Sequence, residues 1–221
     1  MSNPVLELRS VSKYFVSAGE ALCILDSLDL SIEGSSKTVI IGESGCGKST
    51  LLNIIGGLET PSSGTVSAGP FRVDSLDEQG LARYRSSFLG LVFQFHYLLK
   101  DFTALENAML PAYMAGMKKK DAMDRARGLL ADVKLEHRLG HYPAQMSGGE
   151  RQRAAVARAL INDPSLVLAD EPTGNLDPAN AETVRDILFQ TVSRYGKTLV
   201  LVTHDRETAA LADTCYRLLD G

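Results

Sequence analysis

Two stretches of this chain carry residues that could do chemistry on a phosphate chain. The first is Gly42-Glu43-Ser44-Gly45-Cys46-Gly47-Lys48-Ser49-Thr50. Glycines at this spacing allow tight turns and let backbone N–H groups face a β-phosphate. A helix beginning near Lys48 adds its positive end. Lys48 is then expected to reach the β- and γ-phosphates, Ser49 to ligate Mg²⁺ and Thr50 to contact the α-phosphate. The second stretch is Leu166-Val167-Leu168-Ala169-Asp170-Glu171. Its apolar residues bury a strand, and two carboxylates emerge at the C-terminal end, where α/β proteins place ligands. Asp170 is expected to hold Mg²⁺ through water, and Glu171 to polarise an attacking water. Alone, an Asp-Glu pair would be a solvated loop; its place behind a buried strand and downstream of a phosphate loop argues for chemistry.

These groups need a frame. Lys37–Ile41 reads as a short apolar strand that runs into the glycine-rich loop, and Leu51–Ile55 continues as an apolar helix closed by Gly56-Gly57. Val5–Ser12 and Ala21–Ile32 alternate like strands of an antiparallel side sheet, and Pro61-Ser62-Ser63-Gly64 reads as a turn. From about residue 104 to 139 the chain changes character. Ala122, Ala126, Leu129, Leu130 and Val133 recur at helical spacing, which predicts an amphipathic helix within a helical insertion. A helix over 148–161, a buried strand over 166–169, a helix over 179–194, a strand over 198–202 and a final helix and strand follow. Strands alternating with helices predict an α/β core with a largely parallel sheet.

Composition narrows the class. The chain has 221 residues, with 23 Lys plus Arg against 27 Asp plus Glu, a formal net charge of −4. That balance argues against a nucleic-acid binder. No apolar run approaches the ~18 residues of a membrane span. Met1-Ser2-Asn3-Pro4 lacks the basic and apolar regions of a signal peptide. Cys23, Cys46 and Cys215 lie far apart, which suits a reducing compartment better than a disulfide framework.

Met146-Ser147-Gly148-Gly149-Glu150 resembles the LSGGQ signature of ABC ATPases, with Met for Leu and Glu for Gln, and Arg151-Gln152-Arg153 resembles the basic run that follows it. Asn175-Leu176-Asp177 is similar to the family's D-loop, His204 to its switch histidine, and Gln94 to its Q-loop glutamine. All occur in the family's order, and the resemblance covers essentially the whole chain. It implies an α/β P-loop NTPase of ABC type, with a RecA-like core, an antiparallel β side sheet and a helical signature subdomain. The expected division is one ABC ATPase domain over 1–221. Residues 1–93 and 164–221 would form the nucleotide-binding core with its β subdomain, and about 95–163 the helical subdomain.

The resemblance also implies roles. Ser147, Gly148, Gly149 and Glu150 would serve the ATP of a partner subunit, so that two ATP molecules sit in a head-to-tail homodimer. Asp177 would communicate between the sites, His204 would contact the γ-phosphate and position water, and Gln94 would touch Mg²⁺ or water. The family stacks an N-terminal aromatic on adenine. Tyr14 and Phe15 are adjacent and strand alternation lets only one face the base; the offset from Lys13 favours Phe15.

Three segments refine the resemblance: Gly90–Leu99, Asp101–Asn107 and Ala169–Asp177. They resemble the group of ABC ATPases that includes lipoprotein-releasing, MacB-type efflux and FtsE-type cell-division members, with Gln94–Leu99 and Asp101–Asn107 most similar to the lipoprotein-releasing branch. Implied partners are two integral membrane subunits of the FtsX, LolC or LolE type, engaged through an exposed apolar rim at Phe95, Tyr97, Leu98, Leu99 and Phe102. The implied location is peripheral, on the cytoplasmic face of the inner membrane. Efflux or cell-division work remains the alternative. Relatives continue past a turn like Asp220-Gly221 with a short strand, so an extension is expected there.

Overall fold

The computed structural model of the protein describes residues 4–17 and 20–219. Met1 to Asn3 and the Asp220-Gly221 turn lie outside them. Two compact units divide the chain, one of residues 1–85 with 198–221 and one of residues 86–197.

In the first unit β1 (Leu6–Ser17) and β2 (Glu20–Ile32) pair antiparallel, Leu6 opposite Ile32 and Phe15 opposite Leu22. Alternation buries Leu6, Leu8, Leu30 and Ile32 on one face. Next, β3 (Lys37–Ile41) carries the buried Val39 and Ile40 into the glycine-rich loop, and α1 (Lys48–Ile55) follows. Leu51, Leu52, Ile54 and Ile55 are buried, each contributing roughly 1.5–3 kcal/mol. The expected turn at 61–64 is shorter than its composition suggests. Ser63 and Gly64 already belong to β4 (Ser63–Ala68), which pairs antiparallel with β1, Ser63 opposite Ser12. With β5 (Phe71–Arg72) this completes a four-stranded antiparallel sheet in the order β2-β1-β4-β5. Helix α2 (Glu78–Ser87) is tied to the end of α1 by two side chains: buried Tyr84 donates its hydroxyl to the Ile55 carbonyl at 2.8 Å, where burial pushes that hydroxyl's pKa up, and Arg85 Nη1 donates to the Gly57 carbonyl at 2.8 Å.

The second unit begins with β6 (Leu89–Val92). Thr103 caps α3 (Ala104–Met114) in a reciprocal box with Glu106. Helix α4 (Lys119–Asp132) buries Ala122, Ala126, Leu129 and Leu130 as its periodicity predicts, with Val133 buried just beyond its end. Helix α5 (Gly148–Leu160) is lined by Ala154, Ala155, Val156, Ala157 and Ala159, small residues that let it pack against α3, α4 and β6. Strand β7 (Leu166–Asp170) lies parallel to β6, Leu91 opposite Leu168, and α6 (Pro178–Arg194) packs on α5.

The chain then returns to the first unit. All six residues of β8 (Thr198–Thr203) are buried, and β8 runs parallel to β3 with Ile41 opposite Thr203. After α7 (Arg206–Ala209), β9 (Thr214–Arg217) pairs parallel with the other edge of β3, giving the order β8-β3-β9.

Candidate nucleotide site

Because β3 and β8 are parallel and Ile41 faces Thr203, the residues just beyond them share one edge. That edge carries the glycine-rich loop from Gly42 and, after β8, His204, which is exposed. The following Asp205 caps α7, accepting from the N–H groups of Glu207 at 2.9 Å and Thr208 at 3.2 Å. The loop turns at Gly45 and Gly47, whose φ angles are +88° and +98°. Gly47 has a second constraint: a Cβ there would lie 2.9 Å from the Ile24 carbonyl oxygen of β2. Only glycine satisfies both. The loop's outer residues Glu43, Ser44 and Gly45 are exposed, as is Ser49, while Cys46 and Thr50 are half-buried. A Cβ on Gly45 would meet nothing within 4 Å, so its backbone faces open space.

Lys48 folds back over this loop. Its Nζ donates to the carbonyls of Gly42 at 2.8 Å and Glu43 at 2.7 Å, and the residue is 8% exposed. An ammonium held by carbonyls, above a concave turn at a helix N-terminus, fits a phosphate chain. Nearby, β2 carries Leu22 and Cys23 opposite Phe15 and Tyr14. Both rings are similarly exposed, but Lys13 Nζ lies 4.8 Å from the Phe15 ring centroid, which sets that ring on the Lys13 side of the strand.

In the second unit Asp170 ends β7 and Glu171 follows in a left-handed conformation, φ +42°. For a residue other than glycine such backbone costs on the order of 1–3 kcal/mol and is held by its surroundings. Here the Glu171 carbonyl accepts the Gly174 N–H at 3.0 Å. The next loop is tied to Gln94. Gln94 Nε2 donates to Asn175 Oδ1 at 3.2 Å, and Asn175 Nδ2 returns a bond to the Gln94 carbonyl at 3.4 Å. Asp177 caps α6 by accepting from the Asn180 N–H at 3.1 Å, and Asn180 Nδ2 donates to its other oxygen at 2.6 Å. These bonds hold the Asp177 carboxyl below its usual range.

Ser147 starts α5 in the same way. Its Oγ accepts from the Glu150 N–H at 3.2 Å, and Glu150 Oε2 accepts from the Ser147 N–H at 2.7 Å. Burial alone would push the Glu150 carboxyl up; the Ser147 N–H and the Arg138 guanidinium, whose Nε lies 2.8 Å from Oε1, outweigh it and hold the group at about 2. The Glu at this position therefore has a close cation in Arg138, with His137 Nε2 farther off at 3.9 Å from the same oxygen. Gly149 is buried against the start of α6, with a hypothetical Cβ only 2.6 Å from Asn180 Oδ1.

A protein-family model described as "ABC transporter" matches residues 25–174. The chain belongs to the ABC transporter family. The "lipoprotein-releasing system ATP-binding protein LolD" of Treponema denticola is 61% identical over 221 residues, covering 100% of this chain and 98% of that protein. The protein of the same description from Treponema pallidum is 55% identical, again over 100% of this chain and 98% of its own length. Among solved structures, a dimeric post-hydrolysis state of an ATP-binding cassette bound to ADP and Pi is similar at a TM-score of 0.89. It is 37% identical and covers 98% of this chain and 95% of that one. The α/β ABC-type P-loop fold expected from the sequence is the fold observed.

This ABC cassette also contains positioned groups that sequence reasoning passed over. Gln152 is 2% exposed, and its Nε2 donates to the Phe93 carbonyl at 2.8 Å, tying α5 to the residue before Gln94. Inside an Arg-Gln-Arg run it reads as part of a solvated basic stretch. Arg138 lies 12 residues from its carboxylate partner in a short 3-10 turn without periodicity. The aromatic segment divides: Phe95, Tyr97, Leu99 and Phe102 are exposed, whereas Leu98 is buried at 7%. Leu98 therefore belongs to the packing rather than to the expected apolar rim.

Proposed function

We propose that this chain is the ATP-hydrolysing subunit of an ABC transporter that extracts lipoproteins from the inner membrane toward the outer membrane. The observation that carries the cargo is the full-length identity of 61% to a protein described as lipoprotein-releasing. Two copies would bind two ATP molecules head to tail and work with two membrane subunits of the FtsX, LolC or LolE type. The chain would sit peripherally at the cytoplasmic face. Exposed Phe95, Tyr97, Leu99 and Phe102 would receive a short partner helix, on a helical lobe spanning about 95–163.

In this reading Lys48 exchanges its carbonyl partners for β- and γ-phosphate oxygens, while the N–H groups of 43–50 cradle the phosphates and Phe15 stacks on adenine. Glu171 polarises the attacking water, His204 orients it against the γ-phosphate, and Gln94 senses the same region. Ser147, Gly148, Gly149 and Glu150 close over the partner copy's ATP, and Asp177 links the two sites. Ser49, Gln94 and Asp170 would hold Mg²⁺, which neutralises charge on the β- and γ-oxygens when bound. Among the described residues no three His, Cys, Asp or Glu side chains converge as a metal cage. A donor set of hydroxyl, amide and one carboxylate suits Mg²⁺, which keeps waters and takes phosphate oxygens.

The test is a tagged Glu171→Gln chain isolated with ATP from detergent-solubilised membranes of its own cell, followed by mass spectrometry. Two related four-helix membrane subunits together with acylated lipoproteins are expected. A single membrane subunit with a periplasmic adaptor, or with a cell-wall hydrolase, would overturn the cargo and leave the ATPase.

A further inference from the structure

Glu150 puts a carboxylate in the first turn of α5, the helix end assigned above to a partner copy's triphosphate. Its two oxygens have separate tasks. Oε2 accepts the Ser147 N–H at 2.7 Å, and Oε1 accepts Arg138 Nε at 2.8 Å. Arg138 is aimed from both ends. Its N–H donates to the Leu135 carbonyl at 2.9 Å, its carbonyl accepts the His141 N–H at 2.9 Å, and Nη1 lies 3.1 Å from His141 Nε2. Leu135, fully buried, anchors the turn. The Glu150 side chain is only 12% exposed, so solvent screens its charge poorly.

We propose that Arg138 is a positioning residue for the partner-facing end of α5. By binding Glu150 it fixes the Ser147 cap and cancels a negative charge that would otherwise repel the incoming γ-phosphate. The inference rests on the proposed head-to-tail dimer. It assigns to Arg138 no contact with nucleotide. The electrostatic logic is specific: removing Arg138 alone leaves a carboxylate whose remaining neighbours are the Ser147 N–H and, at 3.9 Å, the exposed His137 Nε2, whereas removing both charges leaves a neutral cap.

The experiment uses the full chain in a Glu171→Gln background with Mg²⁺ and ATP. It reads two quantities: fluorescent ATP-analogue binding to the monomer, and ATP-driven dimerisation by analytical ultracentrifugation. Arg138→Gln is expected to leave monomer binding unchanged and to weaken dimerisation by about tenfold or more, the scale of a lost charge-assisted hydrogen bond. Arg138→Lys should recover most of the loss. Arg138→Gln with Glu150→Gln should dimerise within about twofold of Glu150→Gln alone, because the unpaired charge is gone. A parent that stays monomeric at saturating ATP overturns the dimer and the role of Arg138 with it. A parent that dimerises while Arg138→Gln matches it overturns Arg138 alone. A double variant no better than Arg138→Gln overturns the charge argument, and this comparison holds even where Arg138→Gln lowers stability.

Discussion

Replacing Gly149 by alanine separates stability from function. An added Cβ would sit 2.6 Å from Asn180 Oδ1 and 3.3 Å from Asn180 Cβ, so the whole side chain is in the way. Ordinary contact begins near 3.4 Å, which requires an opening of about 0.8 Å, the difference between 3.4 and 2.6. If Asn180 swings aside, its 2.6 Å bond to Asp177 is lost, but that carboxylate is exposed and water takes the place of the amide. Alanine in place of a helical glycine returns up to about 1 kcal/mol. The net change is therefore small, and the melting temperature of a 221-residue chain should move by no more than about 2–4 °C. Activity is not buffered in this way. Either relaxation, loss of the Asn180–Asp177 bond or a shift of the α5 N-terminus by up to about 0.8 Å, disturbs the placement of Asp177 beside α5 and is expected to lower ATP turnover by about a hundredfold. Phosphate release and differential scanning calorimetry on the same preparation read both. Normal turnover would refute the claim that this contact sets the geometry. A melting temperature lower by more than about 8 °C would refute the local accounting.

Other outcomes follow from the same geometry. Tyr84→Phe should destabilise the fold by about 1–2 kcal/mol in urea, because the Ile55 carbonyl loses its buried donor; an unchanged midpoint would remove that bond from the ledger. Glu150, held at about 2 against an ordinary 4.5, has a depressed pKa. Its contribution is therefore fully present above about pH 4.5 and lost as pH falls toward about 2. The stability advantage of the native chain over Glu150→Gln should shrink across that window in acid titrations, and a constant advantage down to about pH 3 would contradict the assignment. Phe15→Ala should weaken ATP binding by about 1–3 kcal/mol, the scale of one lost base–aromatic stack, while Tyr14→Ala leaves it nearly intact. The reverse pattern would give adenine to Tyr14. Lys48→Ala should abolish nucleotide binding in a fluorescence titration, and retained affinity would sink the phosphate-loop assignment.

Elements with a self-contained signal were legible from the chain alone. Lys37–Ile41, the glycine-rich loop and α1 are contiguous, so strand, turn and helix announce one another, and α4 declares its buried face through a clean helical period. Elements stabilised by distant partners were not. Helix α2 buries a single residue, Tyr84, and has no period to read. Strand β4 begins inside what composition marks as a turn, because pairing with β1 decides its conformation. Within the candidate site, glycines and carboxylates appear in recognisable spacing, whereas Arg138, Gln152 and Asn180 act through contacts that form only after folding. Leu98 shows the limit from the other side: an apolar residue among exposed neighbours, drawn inward by packing.

In the proposed nucleotide site, the two carbonyls that hold Lys48 would also make the loop selective before any nucleotide arrives. Its ammonium already has good partners at 2.8 and 2.7 Å, so a newcomer must outcompete them. A nucleoside, or any neutral ring that merely stacks, offers nothing to draw the lysine away and meets a loop closed by its own side chain. A polyphosphate does, since its anionic oxygens bind an ammonium more strongly than a neutral carbonyl can. In that site these hydrogen bonds would act as a latch whose key is negative charge.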